Sequence, residues 1–244
     1  MLRLRQICLV ARQLQPAVAE LESAFGLTTC YHDPGVGKYG LENALLPIGN
    51  NFLEIVAPVE DNTAAGRYLD RRGGDGGYIV ILECDNALER RARILAQGVR
   101  IANTLDYGEF FGTQLHPQDT GGSMLEIDWN LDGGAPDSPW HPAGGSWKDA
   151  VRTEVVTDMI GAELQSDDPA GLAARWGSIL DIPPKTGNDG AAILQLDNAT
   201  LRFTAVADGR GEGLGGVDLK VASGTGQNAG VVKMICGTRF RLTA

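Results

Sequence analysis

No stretch of the 244 residues stays apolar for the ~20 positions that a membrane-spanning helix needs; the longest apolar runs are strand-sized. The opening segment, MLRLRQICLV, is basic and then apolar. Its run ends at Arg12 with no small-residue cleavage site behind it, so it reads as a first strand and not a leader. Cysteine is scarce. Cys8, Cys30, Cys84 and Cys236 show no framework spacing, and Cys8 and Cys84 fall inside apolar strand patterns. That excludes a disulfide scaffold and implies buried free thiols in a reducing, cytoplasmic compartment. Histidine is scarcer still, at positions 32, 116 and 141. Positive charge is short too: 21 Lys and Arg face 31 Asp and Glu, a formal charge of −10, which argues against a broad surface for nucleic acid or anionic membrane. Against these shortages stand 43% hydrophobic residues, enough for one large core or two small ones. The 33 Gly and 11 Pro stay below the low-complexity level and imply many turns.

The chain resembles itself. From Gln6 an apolar strand (ICLVA) leads into a helix near Pro16 with Val18, Leu21 and Phe25 on one face, stopped by Gly26. Strands TTCYH, GLENALLPI and FLEIVA follow, giving a βαβββ unit. A second copy starts at Tyr78: strand YIVILEC, a helix near 86–97 stopped by Gly98, then VRIAN, GTQLHP and MLEID. Glu54 and Glu126 hold the same place in the two copies, since 54 − 6 and 126 − 78 both equal 48. Residues 131–150 are rich in Gly and Pro and read as a linker, one strapped to a surface by Trp140 and Trp147.

Beyond the linker the unit returns. Asp168-Pro169 opens a helix with Leu172, Trp176 and Ile179 on one stripe. LQLDNATLRFTAV aligns without a gap on LPIGNNFLEIVAP, GGVDLKVA mirrors GGYIVILE, and GTRFRL mirrors GSMLEI. The helix-bearing middle of this fourth copy is missing. The expected organisation is therefore a domain over 1–130, a linker over 131–150 and a shortened domain over 151–244.

Paired βαβββ units, with a polar residue opening the first strand and Glu in the fourth, resemble the vicinal-oxygen-chelate superfamily. The stretch LHPQDTGGSMLEI is similar to a run found in methylmalonyl-CoA epimerases, and the first unit is similar to glyoxalase-like domains. The resemblance implies an α+β fold of two half-open barrels of the glyoxalase/bleomycin-resistance type, the second one shortened. It implies a divalent metal (Mg, Mn, Ni, Co or Zn) at Gln6, Glu54, Tyr78 and Glu126. Tyr78 departs from the pattern, which wants His there, so the expected metal ligands reduce to Gln6, Glu54 and Glu126. The absence of histidine at a ligand position argues against extradiol dioxygenase chemistry.

The function so implied is that of a glyoxalase- or epimerase-like enzyme moving a proton on a small carbonyl substrate, with Glu54 and Glu126 catalytic. Tyr78, Asn43 and His116 are candidates to contact substrate, each with an ordinary packing or turn role as the alternative. The competing function is metal-free sequestration of a small molecule. In the second half the matching positions are Met159, Arg202, Val217 and Arg241, none a usable metal ligand. Arg202 and Arg241 either point outward on a solvated sheet face, the reading preferred here, or form an anion pocket. The glycine-rich stretches at 35–37 and 209–216 lack the strand–helix context of a phosphate loop, so no nucleotide cofactor is expected. A small-molecule ligand, no nucleic acid and no membrane, in a monomer or homodimer, complete the expectation.

Overall fold

The computed structural model describes residues 1–224 and 229–244. The first half runs β1 (Leu2–Val10), α1 (Leu14–Phe25), β2 (Leu41–Ile48), β3 (Asn51–Pro58), α2 (Ala64–Arg72), β4 (Gly76–Cys84), α3 (Ala87–Ala96), β5 (Ile101–Asp106), β6 (Phe110–Leu115) and β7 (Met124–Asn130). The second runs β8 (Val156–Ser166), α4 (Pro169–Leu180), β9 (Lys185–Thr186), β10 (Ala192–Gln195), β11 (Thr200–Ala205), β12 (Gly213–Val221), β13 (Val232–Ile235) and β14 (Thr238–Thr243).

Each half makes one mixed seven-stranded sheet, ordered β2-β3-β1-β4-β7-β6-β5 and β13-β14-β12-β8-β11-β10-β9. In both, two long antiparallel strands form the centre and each takes a parallel partner: β3 on β1 and β7 on β4, then β11 on β8 and β14 on β12. The architecture is α+β, two half-open arrangements with neither sheet closed into a barrel.

Local chemistry sets the helix ends. Gly26 stops α1 in the left-handed region at φ 67°, returning its N–H to Glu22. Asp168 caps α4 by accepting from the Gly171 N–H, with Pro169 in the first turn. Two expectations need correction. TTCYH is not a strand: the segment pairs only through an isolated Tyr31–Leu45 bridge, so the first unit is one strand short. Residues 64–72, left unassigned by the repeat pattern, form α2 behind a Thr63 cap. Between β12 and β13 no helix occurs among the described residues, as the shortened fourth unit implies.

Strand alternation divides each sheet into two faces. One face of the first sheet (Leu4, Ile7, Leu53, Ile55, Leu125, Ile127) packs with α1, α3 and α4 against the corresponding face of the second (Met159, Leu164, Leu201, Val217, Phe240), so a single core spans both halves. The opposite face of the first sheet carries a separate cluster built from Cys8, Phe52, Tyr78, Ile81 and Phe110 together with α2. The 131–150 segment lies on it, with Trp140 1% and Trp147 3% exposed. Buried Arg5 anchors the segment. It donates to the carbonyls of Pro136 and Ser138, and its guanidinium stands 5.2, 5.4 and 5.8 Å from the rings of Phe52, Trp140 and Trp147.

Candidate active site

Leu53 and Ile55, like Leu125 and Ile127, enter the shared core, so alternation turns Glu54 and Glu126 to the opposite face. Both therefore lie on one face of the sheet, with β1 and β4 between them. Glu54 lies opposite Cys8 on β1, while Gln6 lies opposite Ile81 on β4, which lies opposite Glu126 on β7. Both carboxyls are buried, at 8% and 3% exposure.

Amides hold Glu54 from two sides. Asn43 Nδ2 donates to Oε1 at 2.7 Å and Gln6 Nε2 donates to Oε2 at 2.8 Å, while the Asp33 N–H fixes Asn43 by donating to its Oδ1. Burial pushes the Glu54 carboxyl above its ordinary value against the pull of these bonds. Glu126 accepts from Gln114 Nε2 at 2.9 Å, and Gln114 accepts in turn from Asn103 Nδ2 at 3.1 Å.

Asp128 is the group that the repeat pattern did not single out. It stands two residues along β7 from Glu126, on the same face and 1% exposed. Neither of its oxygens makes a hydrogen bond of full geometry, and the polar groups acting on it are the Glu126 carboxyl and the Thr113 backbone. Gly112 on β6 makes room for both acids: a Cβ there would lie 2.9 Å from Asp128 Oδ1 and 3.1 Å from Glu126 Oε1. Burial, with the charge of Glu54 adding to it, lifts Glu126 to about 7. Burial and then the charge of Glu126 lift Asp128 well above the carboxylate range. Two buried acids side by side keep at least one proton between them.

Among the other candidates, Tyr78 sits on this face, packs against Tyr68 at 4.9 Å between ring centroids, and has its phenol pushed up by burial. His116 is not brought here. It opens the turn at Pro117–Asp119, accepting from the Gln118 N–H beside the Arg100–Asp119 ion pair.

The metal donor set does not fit. Gln6 Oε1 accepts from the Trp140 indole N–H at 2.7 Å and Gln6 Nε2 faces Glu54, so the amide is spent at both ends. Both Glu54 oxygens are likewise taken. Among the described residues, no group of three or more His, Cys, Asp or Glu is placed to hold a metal ion.

The acids are enclosed. The segment Pro34–Tyr39 meets the β5–β6 hairpin above them, where Lys38 Nζ donates to the Tyr107 hydroxyl at 2.9 Å and Asn103 Nδ2 to the Tyr39 hydroxyl at 2.8 Å. Tyr107 and Tyr39 remain about half exposed. Two surface hollows, of about 360 and 220 Å³, lie near Arg12 and include none of the acid-face residues.

In the second sheet the expected alignment is corrected by register. Met159 and Val217 face the shared core. Arg202 lies opposite Glu163 as Glu54 does opposite Cys8. Arg241 lies opposite Asp218 as Glu126 does opposite Ile81, and Gly161 takes the place of Gln6. Arg202 is 8% exposed, so it does not solvate an outer wall; it pairs with Glu163 at 2.7 Å, and Arg241 pairs with Asp218 at 2.7 Å.

The family model described as "Glyoxalase-like domain" matches residues 7–180. A hypothetical protein from Staphylococcus aureus is similar in structure along 99% of this chain and 98% of its own, with a TM-score of 0.70 at 14% identity. Methylmalonyl-CoA epimerases are similar over about half the chain. A variant of the one from Streptomyces coelicolor, in complex with 2-nitronate-propionyl-CoA, covers 52% of this chain and 96% of its own at 20% identity and TM-score 0.48. The one from Mycobacterium tuberculosis covers 52% and 87% at 22% identity and TM-score 0.46. No curated protein matches. Among the described residues no helix is long and apolar enough to cross a membrane.

Proposed function

From the premise that the chain belongs to the glyoxalase-like domain family, we propose that the buried acid face of the first sheet moves a proton on a small carbonyl substrate, as an isomerase or lyase of the epimerase or glyoxalase type. One observation carries this reading: Glu126, 3% exposed and set against Asp128 on the same face of β7, is a buried carboxyl whose proton affinity burial raises above the ordinary carboxylate range, which suits it to taking and returning a proton. Ionised Glu126 takes the proton α to the carbonyl, the electron pair passes to the carbonyl oxygen as an enolate, and a carboxylic acid of the same face returns a proton to carbon. Glu54, oriented by Gln6 and Asn43, lies across the face to receive a substrate hydroxyl or to return that proton. Protonated Asp128 donates to Glu126 and tunes its basicity. No step runs through a metal, because Gln6 and Glu54 spend their donor atoms on Trp140, Asn43 and each other. Entry requires the Lys38–Tyr107 and Tyr39–Asn103 contacts to part.

A second reading, sequestration without turnover, is favoured by the enclosure itself, since Gln6, Asn43, Glu54, Tyr78 and Glu126 are all 8% exposed or less. One experiment separates the two. Small 2-oxo and 2-hydroxy carbonyl compounds are incubated with the protein in deuterium oxide, and deuterium at the α carbon is followed by mass spectrometry. Exchange that disappears in Glu126→Gln supports proton transfer. Saturable binding without exchange supports sequestration. Exchange that survives Glu126→Gln overturns the assignment.

A further inference from the structure

The two sheets differ in what covers the face turned away from the shared core. On the first, α2 and residues 131–150 cover it; on the second, no apolar cluster forms there among the described residues, and the face is set with charge. Arg202 on β11 and Arg239 and Arg241 on β14 are tied together by two carboxylates. Glu163 bridges Arg202 and Arg239, and Asp218 lies 3.6 Å from Arg202 and 2.7 Å from Arg241.

We infer that this face binds a small organic anion, its carboxylate or phosphate group received by the three guanidinium groups and its apolar body lying on Val232 and Met234. Three guanidinium groups stand against two bridging carboxylates and a third acid, Asp189, at the rim, so the cluster is balanced and presents a positive charge only where Asp189 is displaced. Asp189 stands 3.8 Å from Arg202, is 55% exposed, and accepts the Ala191 N–H within its turn, the longest and most exposed ion pair of the cluster.

The bridging carboxylates orient the guanidinium groups without saturating them. Arg239 and Arg241 each give hydrogen bonds to protein from one terminal nitrogen, and their side chains stay 23% and 38% exposed. The Nε groups of Arg202 and Arg241 are buried and without an acceptor among the described residues, so the donors open to a ligand are the second terminal nitrogens of Arg239 and Arg241. A guanidinium fork with an open edge is suited to planar, two-point recognition of a carboxylate or phosphate. Gly215 lets the array lie flat, since a Cβ there would come within 2.8 Å of Arg239 Nη2.

The apolar part of the ligand is read from β13. Val232 lies opposite Arg241 and Met234 opposite Arg239, which puts both on the same face, and they are 51% and 57% exposed. Lys233 and Ile235 alternate to the other side, towards α1 and the core. A guanidinium floor bordered by exposed aliphatic side chains fits an amphipathic anion better than a bare inorganic one.

The full chain is titrated calorimetrically with sodium octanoate and, separately, with sodium phosphate. The variants are Arg239→Gln/Arg241→Gln, Met234→Asp and Glu126→Gln. The expected result is saturable binding of one equivalent of octanoate, at least tenfold weaker in the double arginine variant and in Met234→Asp, and unchanged in Glu126→Gln. Tighter binding of phosphate than octanoate, lost in the double variant but not in Met234→Asp, keeps the site and assigns the anion to the phosphate class. Should the double variant fail to fold, Arg241→Gln, the most exposed of the three, is read alone. Neither probe saturating at millimolar concentration, or both binding the arginine variants as they bind the parent, overturns the inference. Because Glu126 belongs to the other sheet, failure here leaves the proton-transfer reading untouched, and the reverse holds.

Discussion

Trp140 donates its indole N–H to the side-chain oxygen of Gln6 at 2.7 Å, joining the segment between the two sheets to the first strand of the molecule. Through Gln6 the contact reaches Glu54, and through the ring it borders Phe110 edge-on at 5.7 Å. A stretch that looks like a tether is thus the roof of the acid face, and it occupies the donor atom that a metal at this position would use.

Replacing Trp140 tests that roof. Trp140→Phe keeps most of the packing but strands Gln6 Oε1 in a buried site, an expected cost of about 1–3 kcal/mol. Trp140→Ala removes the packing as well, about 3–5 kcal/mol. Urea denaturation followed by circular dichroism reads both. Equal midpoints for Trp140→Ala and the parent would mean that the segment is not seated as described.

Acidity of the same face makes stability depend on pH in an unusual direction. Glu126, Asp128 and Glu54 all have folded-state values raised by burial, so each holds its proton more tightly folded than unfolded. Their contribution is fully present below about 4, the ordinary carboxyl range, and is lost as pH rises through the folded values, about 7 for Glu126. Glu126→Gln is therefore close to neutral at acidic pH and stabilising above pH 7, by roughly 3 kcal/mol if its whole shift is recovered. Chemical denaturation of parent and variant across that range checks the sign; parallel pH profiles would remove the buried-acid account.

Much of this site is legible in the sequence, for a definite reason. The alternation in FLEIV and MLEID is a property of the backbone, and the structure has both glutamates on the face opposite Leu53 and Leu125, whereas the equal interval of 48 does not hold in register, since Ile79 and not Tyr78 takes the place of Gln6. What escapes is whatever depends on contacts far apart in sequence. The role of Trp140 needs 134 residues of separation to close, and the bulges in the β1–β4 and β8–β12 pairs shift register so that Met159 and Val217 turn to the core. Asp128 was within reach, since it follows Glu126 by two in one strand, but it has no counterpart in the first unit, where Val56 stands. The missing strand at TTCYH fails for a different cause: β-forming residues there form only the single bridge to Leu45.

Gly112 gives a narrower test of the acid pair. Its backbone lies in ordinary territory, so Gly112→Ala brings no conformational penalty, only a methyl within 2.9 Å of Asp128 Oδ1 and 3.1 Å of Glu126 Oε1. Both carboxyls must shift, at an expected cost of about 1–3 kcal/mol. Adding Asp128→Ala should recover part of that loss by vacating the space. A double-mutant cycle with no coupling between positions 112 and 128 would show that the two do not share this space.

The shared core predicts that the halves fold as one unit. Trp176 on α4 is fully buried, donates its indole N–H to the carbonyl of Thr120 at 3.0 Å, and meets Phe203 edge-on at 5.9 Å, so one side chain closes the join from the second half onto the first. Nearby, Gly77 on β4 packs so tightly on β12 that a Cβ would come within 2.5 Å of Leu214. A fragment ending at residue 150 would expose the core face carrying Leu53, Ile55, Leu125 and Ile127 to water, and burial of such aliphatic side chains is the main source of stability in a domain of this size. The expected outcomes are an insoluble or unfolded 1–150 fragment and, for the intact chain, one calorimetric transition in which Trp176→Phe lowers the midpoint for both halves together. Two resolved transitions, with the substitution moving only the one that belongs to the second sheet, would show that the core is divided after all.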